Sequence, residues 1–181
     1  MNLIDIKSPA DLKGLSISEL TDLTAQARQA LMTKVSEQGG HVGPPMGAAE
    51  MIMALHYVFN SPVDKIVYDV SHQSYVHKMV TGRALAFLDH NHYDDVTGYT
   101  DPTESEHDFF NIGHTSTSIS LASGLATARN LKGDSENIIA IIGDGSLSGG
   151  EAFEGLDYAA TLDSNMIIIV NDNDQSIAEN H

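Results

Sequence analysis

The sequence contains no cysteine and few basic residues, and both deficits exclude classes of function. Without cysteine the chain has no disulfides, no thiolate metal sites and no cysteine nucleophile. Nine lysines and arginines stand against 25 aspartates and glutamates, which gives a formal net charge of -16. A chain of this charge is not attracted to nucleic acid or to anionic membranes, so we expect neither as a partner.

Targeting segments and long apolar runs are also missing from the sequence. The first residues have neither the basic flank nor the apolar run of a signal peptide. No apolar stretch approaches the roughly 20 residues that cross a bilayer. No Gly-x-Gly-x-x-Gly follows a predicted strand, which disfavours a generic Rossmann-like nucleotide binder. We therefore predict a soluble, cytoplasmic protein without membrane contact.

Hydrophobic periodicity predicts an α/β fold, with a parallel sheet flanked by helices. Ser16 and Glu19 have the spacing of a capping box and begin a helix that Gly39 ends. Further along the chain the pattern predicts a well-buried helix at 48–59, a strand at 66–70, a helix at 115–129, a strand at 137–142, a helix at 147–161 and a strand at 166–170. Residues 89–108 have no clear period and are predicted to be irregular. The last two strands and their helix form a right-handed βαβ unit with a buried parallel sheet.

Two short polar motifs follow the last two predicted strands. Gly143–Gly145 reads Gly-Asp-Gly, and Asn171–Asn173 reads Asn-Asp-Asn. Because ligands bind at the carboxyl edge of a parallel sheet, we expect Asp144 and Asn173 to converge there and to offer Mg²⁺ hard oxygen donors. The glycines and the following helix N-terminus favour a diphosphate beside the metal. Alternatively, Asp144 only caps a helix and Asn173 only lies in a turn. The pairing of the two motifs favours the metal site.

The order of these and other motifs resembles the 1-deoxy-D-xylulose-5-phosphate synthase family, which is related to transketolase. Besides the two metal motifs, the matching segments are Gly39–His41, Ala54–Phe59, Tyr68–Gln73, His77–Arg83, Glu104–Glu106 and Gly113–Ser120. The resemblance spans nearly the whole chain. It implies the thiamine diphosphate (ThDP)-binding fold of the transketolase type, with ThDP and Mg²⁺ as cofactors.

The resemblance also implies roles for individual residues. Asp144, Asn173 and the backbone oxygen of Gln175 would bind Mg²⁺. The residues implied to contact ThDP are His72, Gly113, His114, Thr115, Gly145, Ser146 and Asn173. His41 and His72 would act at the reacting centre, where imidazole can move protons near neutral pH.

The remaining histidines have plainer interpretations. His56 lies on an apolar helix and is predicted to be a core residue with its hydrogen bonds satisfied. His90 and His92 have a metal-like spacing, but no third ligand accompanies them, so we predict no metal there.

The sequence departs from the family pattern in three ways. Pro44–Pro45 replace the usual serines and resemble the transketolase form of that loop. Thr100–Thr103 lack the usual basic residue, while Tyr68 and Ser71 replace a tryptophan and a glycine. We expect an intact cofactor site with altered substrate-facing loops, as in a paralogue with another substrate.

The whole chain, 1–181, is interpreted as an N-terminal diphosphate- and Mg²⁺-binding domain that is incomplete at His181. The glutamate that activates ThDP in this family comes from a following pyrimidine-binding domain, so the chain alone is expected to be inactive. Glu151 and Glu154 are not assigned that role, because their helix lies at the diphosphate end.

The leading functional prediction is condensation of pyruvate with glyceraldehyde 3-phosphate, with release of CO₂, by a homodimer. The remainder of its own polypeptide would complete the enzyme. Two alternatives remain: transketolase-like two-carbon transfer between sugar phosphates, and a non-catalytic subunit that binds Mg²⁺ and diphosphate.

Overall fold

A three-stranded parallel sheet forms the centre of the protein, whose computed structural model describes residues 1–172. Its strands are β1 (Lys65–Tyr68), β2 (Ile138–Gly143) and β3 (Met166–Asn171), in the order β1-β2-β3. Because all three run in the same direction, their carboxyl ends meet at one edge. The α/β class and the parallel sheet are confirmed.

Helices surround the sheet. In chain order they are α1 (Ile17–Gln38), α2 (Gly43–Gly47), α3 (Ala49–Val58), α4 (Tyr75–Lys78), α5 (Leu85–Leu88), α6 (Ser118–Lys132), α7 (Asp144–Leu147) and α8 (Gly150–Thr161). Short 3-10 helices lie at Leu3–Asp5, Pro9–Leu12 and His90–Asp95, and a wide π-type turn lies at Met79–Arg83. None of the helices within residues 1–172 has both the length and the apolar character of a membrane span.

Helix α1 begins and ends as its sequence predicts. The Ser16 hydroxyl accepts from the Glu19 N–H, and the Glu19 carboxylate accepts from the Ser16 N–H at 2.8 Å. The helix ends at Gly39, whose φ of 84° is a conformation that glycine adopts readily. The predicted capping box is therefore confirmed.

Strands β1 and β2 are buried on both faces, which explains their continuous apolar sequences. Strand β3 is only partly buried among the described residues, and its Val170 is 46% exposed, so the predicted burial of the sheet is confirmed for β2 but not for β3. One face carries Ile66, Tyr68, Ile139 and Ile141, which belong to the same core cluster as residues of α1 and α3. The other face carries Val67, Ile138, Ala140 and Ile142, which cluster with residues of α6 and with Ala152 of α8. The side-chain alternation of β1 and β2 thus separates two helical layers.

Three predicted helix or strand assignments are wrong, because turns of the backbone interrupt segments that the hydrophobic pattern treats as continuous. The first strand ends at Tyr68 instead of Val70, since Val70 has a φ of 57°. Helix α6 begins at Ser118, because Ser116 has a φ of 73°. The single helix predicted at 147–161 is divided into α7 and α8, and between them Gly149 is extended.

The second predicted helix also differs from expectation. A separate short helix, α2, precedes it and has prolines in its first turn. Helix α3 is buried along one side only, through residues such as Ile52 and His56. Val58 on the same helix is 63% exposed, so burial on nearly all sides is not observed in the chain by itself. The region 89–108 is irregular apart from its 3-10 helix, as predicted.

Candidate functional site

The carboxyl edge of the sheet brings the two polar motifs next to each other. Gly143 of β2 pairs in register with Asn171 of β3, so the residues that follow, Asp144 and Asp172, both lie at this edge. Asp144 is the first residue of α7 and is partly buried. Asn173 and Gln175 lie outside the described residues. The predicted Mg²⁺ site is therefore located only through Asp144.

A loop from Gly113 to Thr117 lies beside this edge and is held there by Asp69. The Asp69 carboxylate accepts two backbone hydrogen bonds, from the N–H groups of Ser116 and Ser118, both at 2.9 Å. Asp69 itself follows β1 directly and is only 1% exposed. One buried carboxylate thus fixes the start of α6 to the end of the first strand.

The same loop is joined to α7 through Ser116. Its hydroxyl donates to the carbonyl oxygen of Ser146 at 2.7 Å. A Cβ atom on Gly149 would lie 2.0 Å from the Ser116 Oγ, so only glycine allows this approach. The contacts bring the predicted diphosphate-binding pair, Gly145 and Ser146, close to the predicted ThDP loop.

Three residues of that loop were predicted to lie against ThDP. Gly113, His114 and Thr115 are all exposed, and the Nδ1 atom of His114 lies 2.7 Å from the carbonyl oxygen of Thr115. Their exposure leaves backbone and ring atoms accessible to a ligand at the sheet edge.

His41 and His72 come together although 31 positions of sequence separate them. Their ring centroids are 5.2 Å apart and their planes nearly perpendicular. Burial lowers the pKa of His72 below its usual value, and the neighbouring His41 lowers it further. The Nδ1 atom of His72 is buried and has no hydrogen-bond partner within residues 1–172. A buried ring nitrogen of this kind is suited to a hydrogen bond with a bound ligand.

Tyr75 supports His41 from the protein side. Its hydroxyl oxygen lies 3.3 Å from both the backbone nitrogen and the Nδ1 of His41. The hydroxyl accepts from the backbone N–H, and it can either donate to Nδ1 or accept a second hydrogen bond from it, according to the tautomer of His41. Gly40 permits this contact, since a Cβ atom there would lie 3.0 Å from the same hydroxyl.

An open cavity of about 330 Å³ extends from His41 along this side of the protein. It is lined by Gly40 and His41 together with Tyr75, Phe87 and the segment Val96–Gly98. The adjoining Tyr99 lies edge-on to the ring of His41, with 5.6 Å between ring centroids. The cavity could therefore admit a small molecule beside His41.

The segment that carries Tyr99 is clamped by buried ion pairs. Glu104 accepts from Lys78 at 2.6 Å, from Arg83 at 3.0 Å and from the backbone N–H of Thr97 at 2.6 Å. Asp108 accepts from Arg83 at 2.8 and 2.9 Å and from the backbone N–H of Asp101 at 2.9 Å. The side chains of Lys78 and Arg83, near the altered segment Thr100–Thr103, are thus both paired with carboxylates.

A chain of buried hydrogen bonds continues from Asp108 into the core. The Nε2 of His77 lies 2.7 Å from Asp108, and its Nδ1 lies 2.8 Å from the Nε2 of His56. A carboxylate only accepts, so His77 donates from Nε2 and accepts at Nδ1, and His56 donates from Nε2. The Nδ1 of His56 is then an acceptor, and it has no partner among the described residues. The prediction of a core residue is confirmed for His56, but full hydrogen bonding is not.

Sequence reasoning missed several of these residues. Asp69, Tyr75 and Tyr99 lie within or near the quoted motifs, but nothing in their spacing revealed their partners. His90 and His92 are separate from the site, and His92 pairs with Asp95 at 2.7 Å.

Comparison with known proteins agrees with this α/β arrangement. Residues 3–181 match the family described as 1-deoxy-D-xylulose-5-phosphate synthase. The chain is 51% identical over 178 residues to the 1-deoxy-D-xylulose-5-phosphate synthase of Caldanaerobacter subterraneus subsp. tengcongensis, covering 98% of this chain and 29% of that protein. It is 48% identical over 178 residues to the enzyme of the same name from Pelotomaculum thermopropionicum, covering 98% of this chain and 28% of that protein. For the enzyme of that name from Shouchella clausii the identity is 49% over 180 residues, covering 99% and 29%.

The fold is thus an α/β domain with its polar motifs at the carboxyl edge of a parallel sheet. The chain belongs to the 1-deoxy-D-xylulose-5-phosphate synthase family. It spans less than a third of the length of the curated relatives it matches.

The described residues fit the cofactors that the resemblance implies. The Nδ1 atom of His72 is buried and has no hydrogen-bond partner among residues 1–172, so a bound cofactor could supply one. Ser116 packs the 113–117 loop against the end of α7, through its hydrogen bond to Ser146 and its close approach to Gly149. Asp144 is a hard donor at that edge, suited to Mg²⁺.

Proposed function

We propose that this chain is the diphosphate- and Mg²⁺-binding part of a ThDP-dependent 1-deoxy-D-xylulose-5-phosphate synthase. The observation that carries the proposal is the perpendicular pair His41 and His72 beside the loop that Asp69 anchors. In the reaction, pyruvate loses its carboxylate as CO₂, and the remaining two-carbon unit joins the aldehyde carbon of glyceraldehyde 3-phosphate. The product is 1-deoxy-D-xylulose 5-phosphate.

ThDP, when bound, would supply the carbanion chemistry that breaks and forms the carbon–carbon bonds. Asp144, with Asn173 and Gln175, would hold Mg²⁺ and through it the diphosphate. Gly145 and Ser146 would contact the diphosphate directly.

The remaining roles belong to the 113–115 loop and the histidines. Gly113, His114 and Thr115 would lie against the cofactor. His72, kept neutral by its lowered pKa, would offer its Nδ1 to the cofactor or the donor.

His41 is suited to proton transfer at the substrate oxygen. In the tautomer in which Tyr75 donates to Nδ1, the neutral ring carries its proton on Nε2. It could donate that proton to the developing alkoxide on the acceptor carbonyl, which becomes a hydroxyl of the product, and take up a new proton from solvent. Positioned proton transfer of this kind contributes about 10²- to 10⁴-fold to a rate.

The proposed enzyme also requires a second domain, which lies outside this chain. A pyrimidine-binding domain, in the remainder of the polypeptide or in a second subunit, would supply the glutamate that activates ThDP. A homodimer and a cytoplasmic location remain predictions of this proposal.

Transketolase-like transfer is the second candidate, and the Pro44–Pro45 turn directly after His41 favours it. Its donors are ketose phosphates, from which no CO₂ leaves. The third candidate is a non-catalytic binding subunit.

Turnover of the complete enzyme separates the three candidates. It is supplied with ThDP, Mg²⁺, carboxyl-labelled pyruvate and glyceraldehyde 3-phosphate, and CO₂ and product mass are followed. The proposal predicts labelled CO₂ with equimolar pentulose phosphate. His41→Asn should lower kcat by about 10²-fold or more, whereas His90→Asn, at an exposed histidine outside the site, should not. Turnover of ketose phosphates without CO₂ would favour the second candidate, and ThDP binding without any turnover the third.

A further inference from the structure

Ser71 adopts a backbone conformation that is unfavourable for its residue type. It is fully buried, directly precedes His72 and has a φ of 68°. Left-handed conformations are uncommon for residues other than glycine, asparagine and aspartate, and they persist where the surroundings compensate for them. The contacts of the Ser71 side chain provide that compensation.

The Ser71 hydroxyl links three segments of the candidate site. It donates to the carbonyl oxygen of Ile112 at 2.8 Å and accepts from the backbone N–H of Thr100 at 2.9 Å. Each partner is next to a residue of the site: Thr100 follows Tyr99, and Ile112 precedes Gly113. One buried oxygen atom therefore holds the three segments at fixed separations.

The ring of His41 lies against both His72 and Tyr99. Its centroid is 5.2 Å from that of His72 and 5.6 Å from that of Tyr99, with interplanar angles of 78° and 70°. Ser71 and Thr100 are the chain neighbours of these two rings, so their hydrogen bond ties the backbone beside His72 to the backbone beside Tyr99. Thr100 is also held by its own hydroxyl, which donates to the carbonyl oxygen of Phe110 at 2.8 Å. We call the space bounded by His41, His72 and Tyr99 the acceptor slot.

We propose that Ser71 is a positioning residue that sets the width of the acceptor slot and thereby the fit of the acceptor aldehyde beside His41. The inference rests on the proposed function, because the slot has an acceptor only if the enzyme condenses a donor with an aldehyde. It extends that function by assigning acceptor recognition to a residue that need not touch the acceptor.

Cofactor binding is expected to be largely independent of Ser71. The ThDP loop has its own anchor in Asp69, which holds Ser116 and Ser118. Loss of the Ser71 hydroxyl therefore releases Thr100 and Tyr99 more than it releases the cofactor loop.

Two substitutions separate the hydroxyl from the backbone strain. Ser71→Ala removes both hydrogen bonds and keeps a Cβ atom at positive φ, whereas Ser71→Gly removes the same bonds and relieves the strain. Both are made in the complete enzyme, with Ser123→Ala as the control, since Ser123 is a buried serine of α6 whose hydroxyl contacts Met166 of β3. We measure Tm, the Kd for ThDP, and kcat and KM for glyceraldehyde 3-phosphate.

A positioning role predicts that both Ser71 variants raise the KM for the aldehyde by about tenfold, the equivalent of one net hydrogen bond. The Kd for ThDP should change less than about threefold, and Tm should be higher for Ser71→Gly than for Ser71→Ala. The control should keep the wild-type KM. If KM instead follows Tm, so that only Ser71→Ala is impaired, or if neither variant changes KM, the proposal is wrong.

Hydrogen exchange decides the positional claim even if the proposed reaction fails. In both Ser71 variants the amide of Thr100 should exchange at least tenfold faster, with little change in the amides of α6. Unchanged exchange at Thr100 would overturn the link between Ser71 and Thr100. If the wild type binds no ThDP and condenses no aldehyde, the proposed function fails and the role in acceptor recognition falls with it.

Discussion

Lowering the pH tests the buried hydrogen bonds that join His56, His77 and Asp108. His77 is completely buried, and burial lowers its pKa to about 4 even though its hydrogen bond to Asp108 acts in the opposite direction. In the unfolded chain its pKa is close to 6.5. Between these two values the unfolded chain binds a proton that the folded protein does not.

The sign and size of the effect follow from this difference. Stability is fully present above pH 6.5 and decreases as the pH falls, by about 1.4 kcal/mol per pH unit for one proton. From pH 6.5 to pH 4 the loss through His77 is therefore about 3 kcal/mol, a large share of the 5–15 kcal/mol typical of a domain. Asp108 stays ionised over this range, because the hydrogen bonds from His77 and Arg83 outweigh its burial and hold its pKa far below the usual value.

Urea unfolding of the 181-residue chain, followed by circular dichroism at several pH values between 7 and 4, measures the loss. Other buried histidines add to the slope, so the diagnostic quantity is the difference between the wild type and His77→Phe. The variant should be less stable at pH 7, because Asp108 and His56 lose a partner, and its slope should be shallower by about 1.4 kcal/mol per pH unit. Parallel curves for the two proteins would refute the reasoning.

Two further substitutions test the packing of the ThDP loop. Gly149→Ala would place a Cβ atom 2.0 Å from the Ser116 Oγ, so we expect a loss of about 1–3 kcal/mol by urea unfolding and weaker ThDP binding by calorimetry. Gly150→Ala is the matched control, since its Cβ atom would meet nothing within 4 Å, and equal effects of the two changes would contradict the packing. Asp69→Asn replaces one of two accepting oxygens by an amide donor, which should cost about 1–3 kcal/mol and weaken ThDP binding. Unchanged affinity for ThDP in Asp69→Asn would show that this anchor does not shape the cofactor site.

The parts of the fold that the sequence predicts are those that depend on local patterns. The capping box at Ser16 and the stop at Gly39 are interactions within one helix, and the apolar runs of β1 and β2 follow directly from burial on both faces. The Gly-Asp-Gly motif could be assigned to the carboxyl edge because the position follows from parallel topology. The pairing of Gly143 with Asn171 agrees with that assignment.

The parts that could not be predicted depend on contacts between distant segments. Asp69 reaches Ser116 across 47 positions, and no spacing rule indicates that a carboxylate after one strand anchors a loop before another helix. Val70 and Ser116 have positive φ angles, which valine and serine rarely adopt, so the sequence did not indicate them. These angles account for the early end of β1 and the late start of α6. The contact of Tyr75 with His41 was not predicted either, because only the folded chain brings the Tyr75 hydroxyl to the His41 ring.

The central claim, that this chain carries the Mg²⁺ and diphosphate site of a ThDP enzyme, is tested most directly by calorimetric titration of ThDP into the complete protein. The titration is run with and without Mg²⁺ for the wild type, for Asp144→Ala and for the exposed control Asp157→Ala. We predict Mg²⁺-dependent binding in the wild type and the control, with loss of at least tenfold in affinity in Asp144→Ala. Binding that is independent of Mg²⁺, or unaffected by Asp144→Ala, would contradict the claim.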